Sequence, residues 1–324
     1  MDTIITKRIM PVNSTFLNDV LVGLTADKKY LGSKYFYDET GDYIFQQIME
    51  MEEYYLTNAE MEILQKQSGK IAAVISADGS PFDLIELGAG DATKSIHLLK
   101  ELLDRKIEFS YFPIDISAHV ISDLTENLPK KLPELKIEGL NGDYFAMVKQ
   151  AKLRSDHRKV LLFMGANIGN MNVAEAEDFC LALRNELSAE DILIIGFDLK
   201  KNPRQILAAY NDAAGITKAF NLNLLKRINT ELGGDFNLKN FDHYATYDPE
   251  SGECKSYLIS LKAQVVNIGD ETIRFAANEH IYMEISQKYS LQQTDELGLK
   301  SGFKPSDYFF DQHKYFVDAI WKVE

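Results

Sequence analysis

Apolar positions in the middle of the chain come in short, dense runs, separated by longer stretches in which they recur at helical spacing. Phe82–Leu87, Ile107–Ile114, Val160–Met164 and Ile192–Phe197 predict strands buried on both faces of a parallel sheet. Between them, Lys94–Leu103 puts Ile96, Leu99 and Leu103 on one helical face, and Ser117 is placed to cap a helix carrying Val120, Ile121 and Leu124. A further helix, Ala174–Leu187, carries Phe179, Cys180, Leu183 and Leu187 at core spacing. Such alternation predicts a doubly wound, Rossmann-like α/β sheet that holds its ligand at the carboxyl ends of the strands.

The flanking portions follow a different pattern. Residues 1–59 are rich in tyrosine and acids, whereas residues 199–286 contain polar, Asn-rich connections and then alternating runs such as Tyr257–Val266. Beyond Ile285 the chain returns to a helical segment, then Gly302-Phe303 and a terminal run, Tyr315–Val323, with strand character. A chain of 324 residues exceeds the usual size of a single core. We therefore expect a core domain of residues 60–198 and 287–324, interrupted by an insertion, and a second domain of residues 1–59 and 199–286.

Charge and composition narrow the possible partners. A formal net charge of −14 argues against nucleic acid or an anionic membrane surface, since a phosphate-binding face needs clustered Lys and Arg. Cys180 and Cys254 are far apart and outside any C-x-x-C spacing, so neither a disulfide framework nor a zinc site is indicated. The histidines at 97, 119, 157, 243, 280 and 313 show no metal-ligand spacing, and no G-x-S-x-G elbow or P-loop occurs. The opening MDTIITKRIMPVNS lacks the apolar run of a signal peptide, and no stretch approaches the roughly 20 apolar residues of a membrane span. These features predict a cytoplasmic monomer without a metal, acting on a small molecule.

The strongest chemical signal is the run Asp83–Lys94 followed by Phe112–Ser117. It predicts a strand, a glycine turn, a helix and a second strand ending in an acid, which is a unit suited to a ribose-bearing cofactor. Gly88 and Gly90 let the backbone approach the ligand, and Asp115 accepts hydrogen bonds from ribose hydroxyls. Thr93 stands where a dinucleotide fingerprint would have its third glycine. Glu86 and Asp91 would also repel a pyrophosphate at the helix N-terminus. A cationic sulfonium meets no such repulsion, so S-adenosylmethionine (SAM) is favoured over NAD.

Five clusters of tyrosines, asparagines and acids add to this: Tyr35–Asp38, Glu53–Thr57, Gly165–Asn170, Ala209–Asp212 and Tyr282–Ser286. Taken singly, aromatic clusters pack more often than they bind ligands. The Gly165–Asn170 loop differs because it directly follows a predicted buried strand, where such sheets place ligands. Glu284 and Ser286 share a face only if their segment is extended, and they then present an acceptor and a hydroxyl side by side. In a helix they would diverge.

Together these segments resemble the SAM-dependent histidine N-alpha-methyltransferases of the ergothioneine pathway, which convert L-histidine to its trimethylated betaine, hercynine. The resemblance spans nearly the whole chain: FYDE, EYYLT, IELGAGDATK, PIDIS, GDY, FMGANIGN, GFDLKK with AAY, and FAANEHIYMEISQKYS. It implies that Gly88, Lys94, Asp115, Asp143 and Tyr144 contact SAM, with Asp115 at the ribose and the Gly142–Tyr144 turn at the adenine. It further implies that Tyr54, Asn170 and Tyr210 hold the α-carboxylate of L-histidine. Tyr37 and Asn170 would flank the reacting α-amino nitrogen, while Glu284 and Ser286 grip the imidazole. The residues 1–59 and 199–286 would then form the substrate-binding domain. Three rivals stand beside this reading: the same reaction on another aromatic amino acid or amine such as tryptophan, a non-catalytic SAM- or nucleotide-binding module, and an NAD oxidoreductase.

Overall fold

The computed structural model describes residues 14–323. Most of the opening segment read above for a signal peptide lies outside the described residues. In chain order the helices are α1 (Ser14–Thr25), α2 (Glu39–Glu50), α3 (Tyr55–Ile75), α4 (Ile96–Asp104), α5 (Ala118–Lys131), α6 (Tyr144–Lys152), α7 (Val173–Glu186), α8 (Pro203–Ala209), α9 (Ile216–Leu232) and α10 (Leu291–Lys300). The strands of the main sheet are β1 (Phe82–Leu87), β2 (Phe109–Asp115), β3 (Leu140–Asn141), β4 (Arg158–Phe163) and β5 (Ile192–Asp198), with β11 (Lys304–Phe310) and β12 (Phe316–Lys322) from the C-terminal part. Between these come β6 (Phe241–Tyr247), β7 (Glu253–Ser260), β8 (Gln264–Ile268), β9 (Glu271–Phe275) and β10 (His280–Gln287). The chain divides into two compact units: one takes the described residues up to Tyr54 with 203–248 and 254–285, the other takes 55–202, 249–253 and 286–323.

The larger unit is a seven-stranded sheet of order β11-β12-β5-β4-β1-β2-β3. β1 to β5 run parallel, and β12 lies antiparallel between β5 and β11. Alternate strand residues face opposite sides. On one side Ile85, Leu87, Leu161, Phe163, Leu193, Ile195 and Trp321 join Val148 of α6, Leu183 of α7 and Leu297 of α10 in one core. On the other side Leu162, Ile194 and Asp318 face Leu64 and Ile71 of α3 and Leu98 of α4 across a small internal cavity. Both faces are thus covered, which explains why the central strands read as dense apolar runs rather than alternating ones.

Local chemistry sets the helix starts, at Ser117 as the sequence suggests. The Ser117 hydroxyl accepts from the backbone N–H of Val120, and Asn172 with Glu175 and Ser290 with Gln293 form reciprocal capping boxes. Two expectations are corrected. In α4 the buried residues are Leu98, Leu99 and Leu102, with Ile96 and Leu103 only half-buried, because the helix leans its Leu98–Leu102 side onto α3 and the sheet. The run Tyr257–Val266 is two strands rather than one. β7 ends at Ser260, whose hydroxyl donates to Lys262 O, and the chain turns before β8.

The smaller unit packs α1, α2 and α9 with a three-stranded sheet of order β10-β7-β6 and the β8–β9 hairpin. Its core includes Phe16, Phe36, Phe220, Leu224, Ile228, Phe241, Ile281 and Met283. Asp38 caps α2 by accepting from Gly41 N at 2.7 Å and also accepts from Asn223 Nδ2 of α9 at 2.7 Å, which joins the two helices.

Candidate active site

The residues singled out in the sequence fall into two groups, one in each unit. In the larger unit, β1 ends in a turn that needs glycine twice. Gly88 has φ +71° and Gly90 has φ +53°, and a Cβ at Gly88 would stand 2.8 Å from the Tyr144 hydroxyl. A Cβ at Gly90 would meet nothing within 4 Å, so that part of the turn opens onto space. Gly88 N and Ala89 N both donate to Ile114 O, at 2.8 and 3.2 Å, which ties the turn to the end of β2.

Asp115 ends β2 half-buried, and its carboxylate accepts from Gly90 N at 3.3 Å and from Ser117 N at 2.9 Å. The turn amides therefore orient the acid named for the ribose. Ile116, the next residue, is 84% exposed. An exposed isoleucine beside a ribose-type acid offers an apolar face for a purine, and the sequence reading passed over it. Asn141 Nδ2 holds this strand end by donating to the carbonyls of Asp115 and Ile116, at 3.0 and 2.9 Å. Asp143 Oδ1 caps α6 through Phe145 N and Ala146 N. Tyr144 begins that helix with its ring against Phe163 and Phe179. Burial, and then the charges of Asp115 and Asp143, push its phenol up to about 12.

Among the charged positions, Glu86 departs from its sequence reading. Glu86 does not face the turn as a free acid. It is buried, takes a hydrogen bond from Tyr111 Oη, and burial raises its carboxyl to about 7. Asp91 uses Oδ1 on Thr93 N and Oγ1, so it is the exposed acid of the turn. Lys94 is ion-paired with Glu60 of α3, a fully buried residue to which the sequence reading gave no role. Burial works against the ammonium, but Glu60 outweighs it and raises Lys94 above its ordinary value.

The second Glu60 oxygen accepts from Gly165 N at 2.6 Å, at the start of the loop after β4. Gly165 and Ala166 both have positive φ, at +77° and +55°, and Asn167–Asn170 follow as a 3-10 turn with Ile168 buried and Asn170 exposed. The Asn167 amide nitrogen is 3.5 Å from where a Cβ would stand at Gly88 and at Gly165, so this side chain borders the glycine turn. On its other side the loop meets the end of β10: a Cβ at Gly169 would be 3.0 Å from Gln287 O and 3.8 Å from Ser286 Oγ. Gly88, Lys94, Asp115, Tyr144, Asn167, Gly169 and Ser286 thus cluster at the carboxyl ends of the parallel strands and the adjoining loops.

In the smaller unit the named tyrosines belong to one edge-to-face series. Tyr54 and Tyr210 rings lie 6.1 Å apart, Tyr54 meets Phe45 at 6.5 Å, and Phe45 meets Tyr37 at 5.6 Å. Phe220 closes the group against Tyr37 and Phe45, both at 5.8 Å. The two phenylalanines had no sequence signal beyond apolarity. Tyr37 is 48% exposed whereas Tyr210 is 9% exposed, so the series grades from a solvent-facing to a buried hydroxyl-bearing ring. Glu284 lies on β10, which is extended, so Glu284 and Ser286 project from the same side of the strand.

The residues present suit SAM: a glycine turn with open backbone, an oriented acid at the end of β2, an exposed Ile116 and a Tyr144 ring beside Gly88. Among the described residues no group of three or more His, Cys, Asp or Glu is placed to hold a metal ion, and no helix is long and apolar enough to cross a membrane.

Comparison with known proteins agrees with this chemistry. A profile of the family described as "Histidine-specific methyltransferase, SAM-dependent" matches residues 16–323. The histidine N-alpha-methyltransferase of Mycolicibacterium smegmatis is 33% identical over 295 residues, covering 90% of each chain. That of Mycobacterium tuberculosis is 33% identical over 276 residues, covering 85% of this chain and 84% of that one. "Ergothioneine biosynthesis protein 1" of Neurospora crassa is 31% identical over 277 residues, which are 83% of this chain and 30% of that longer protein. The chain belongs to the family of SAM-dependent, histidine-specific methyltransferases.

Proposed function

We propose that this protein transfers methyl groups from SAM to the α-amino nitrogen of free L-histidine, giving the trimethylated betaine hercynine, within ergothioneine biosynthesis. Family membership gives the reaction class and the cofactor. The observation that carries the substrate assignment is the extended β10 segment, with Glu284 and Ser286 on one side of the strand. An acceptor and a hydroxyl spaced this way match the two nitrogens of an imidazole, whereas an indole or phenyl ring offers no such pair of nitrogens.

SAM supplies an electrophilic methyl on a sulfonium sulfur. In the larger unit Asp115 would take the ribose hydroxyls, Ile116 and Tyr144 the adenine region, and Gly88 the close backbone approach. Asp143 acts there by capping α6 and so fixing Tyr144. Lys94, held by Glu60, would contribute positive charge beside the Gly165 loop, where a Cβ would stand 3.6 Å from its ammonium. Asn170, at the end of that loop, would hydrogen-bond the α-carboxylate and flank the α-amine. In the smaller unit Tyr54 and Tyr210 would donate to the α-carboxylate, Tyr37 would accept from the α-amine and orient its lone pair, and Glu284 would accept the ring N–H. Placement supplies most of the rate, because the methyl group is already activated and the nitrogen needs only alignment and loss of a proton to water. A neutral phenol also tolerates the cationic ammonium that grows with each methylation.

Two further elements belong to this reading, a cytoplasmic setting and action as a monomer.

Titration calorimetry tests the cofactor side. SAM is expected to bind and NADH not, and Asp115→Ala is expected to weaken SAM about tenfold by removing two charge-assisted hydrogen bonds. Equal binding of SAM by parent and Asp115→Ala would remove Asp115 from the ribose.

A further inference from the structure

Lys288 lies just beyond β10, is completely buried, and has no part in the roles assigned above. Its ammonium donates to Ser286 Oγ at 2.7 Å and is ion-paired to Asp198 Oδ2 at 2.7 Å. Asp198 ends β5 and is itself anchored: Tyr55 Oη donates to both of its oxygens, at 3.0 and 2.9 Å, and Lys201 pairs with Oδ1. The main chain fixes the same arrangement. Lys288 N donates to Gly252 O at 2.8 Å, and Tyr289 N to Asp198 O at 3.0 Å. Gly252 has φ +84°, and a Cβ there would stand 2.2 Å from Lys288 O, so the strand end is packed against a position that admits only glycine. Lys288 therefore has little freedom to point elsewhere.

A buried lysine is costly to maintain, and one already ion-paired to Asp198 need not touch a serine. The contact has a specific electrostatic consequence. A serine hydroxyl offers one hydrogen and two lone pairs, and an ammonium can only donate. Lys288 occupies one lone pair of Ser286 and polarises the hydroxyl, so its hydrogen points away from the ammonium and becomes a stronger donor. The same charge disfavours a second N–H donor approaching Ser286.

We propose that Lys288 is a positioning residue for the substrate ring: it holds Ser286 as a hydrogen-bond donor, so that the imidazole nitrogen meeting Ser286 is the unprotonated one. This deepens the histidine reading and rests on Ser286 contacting the ring. The enzyme then selects one neutral tautomer of histidine, with its N–H directed to Glu284 and its bare nitrogen to Ser286.

A double-mutant cycle tests it, using KM for histidine and Kd for SAM in parent, Lys288→Met, Ser286→Ala and the double variant. Each single change should raise histidine KM about tenfold and leave SAM Kd within about twofold, and the double variant should be no worse than Ser286→Ala. Penalties that multiply in the double variant, or a loss of SAM affinity in Lys288→Met that matches its loss of histidine affinity, would overturn the role of Lys288 while leaving Ser286 at the ring. An unchanged histidine KM in Ser286→Ala would instead remove Ser286 from the ring, and the proposal with it. A measurement on the parent protein avoids any folding failure of Lys288→Met. In the complex with S-adenosylhomocysteine, the ¹⁵N spectrum of ring-labelled histidine should show one protonated and one unprotonated nitrogen, and two protonated nitrogens would contradict the assignment.

Discussion

The carboxylate of Glu60, midway along the first turns of α3, accepts the backbone N–H of Gly165 at 2.6 Å while its other oxygen holds Lys94. One buried acid thereby ties together the segment leading into α4 and the loop that carries Asn170. Glu60→Ala should cost about 2 kcal/mol of stability, less than the roughly 3–5 kcal/mol of a fully buried pair because the Lys94 side chain is 26% exposed. Glu60→Gln, which retains an acceptor for Gly165, should lose less and keep more activity. Urea unfolding of the two variants checks this, and an Ala variant as stable as the parent would show that the pair is not structural.

Glu86 gives a pH signature with a definite sign. Its carboxyl is raised from 4.5 to about 7, so the folded state binds a proton that the unfolded state releases at lower pH. The stabilisation is complete below about pH 4.5 and is lost as pH rises to about 7, a total of up to about 3 kcal/mol. Glu86→Gln keeps an acceptor for Tyr111 and has no such titration. Its stability relative to the parent should therefore increase between pH 5 and pH 8, and a constant difference across that range would contradict the assignment.

Gly88→Ala should disable the cofactor turn for two separable reasons, the left-handed backbone and the 2.8 Å approach of the new methyl to Tyr144 Oη. The nearest ring carbon is 3.7 Å away, so Tyr144→Phe removes the steric part alone. The double variant should regain part of the lost melting temperature while retaining a penalty of about 1 kcal/mol from the backbone. No recovery would mean that strain accounts for the whole effect.

Glu284→Ala should weaken histidine binding about tenfold or more and relax selectivity toward apolar aromatic rings, because the ring N–H loses its charged acceptor. Competition between histidine and tryptophan in one reaction mixture reads this directly. An unchanged preference would move the ring away from Glu284.

Much of the larger unit was legible because its rules are local. Continuous apolar runs mark strands covered on both faces, Ser117 marks a helix start, and Gly88 with Gly90 marks a tight turn at the end of β1. Extended β10 also answered the open question about Glu284 and Ser286. What stayed hidden depends on contacts between distant positions. Glu60 reads as an ordinary helix acid until Gly165, far along the chain, is placed above it, and Lys288 reads as a solvated base until Asp198 closes on it. The repulsion expected of Glu86 fails for the same reason: sequence gives the acid but not its burial against Tyr111. In α4 the apolar spacing fits two adjacent faces, and only packing on α3 chooses Leu98, Leu99 and Leu102.

The most direct test of the assigned activity is mass spectrometry of the purified protein incubated with SAM and each common amino acid in turn. We expect mono-, di- and trimethylated histidine, accumulating toward the trimethylated product, and no comparable product with tryptophan. Methylation of tryptophan or another amine with histidine left unmodified would contradict the assigned substrate.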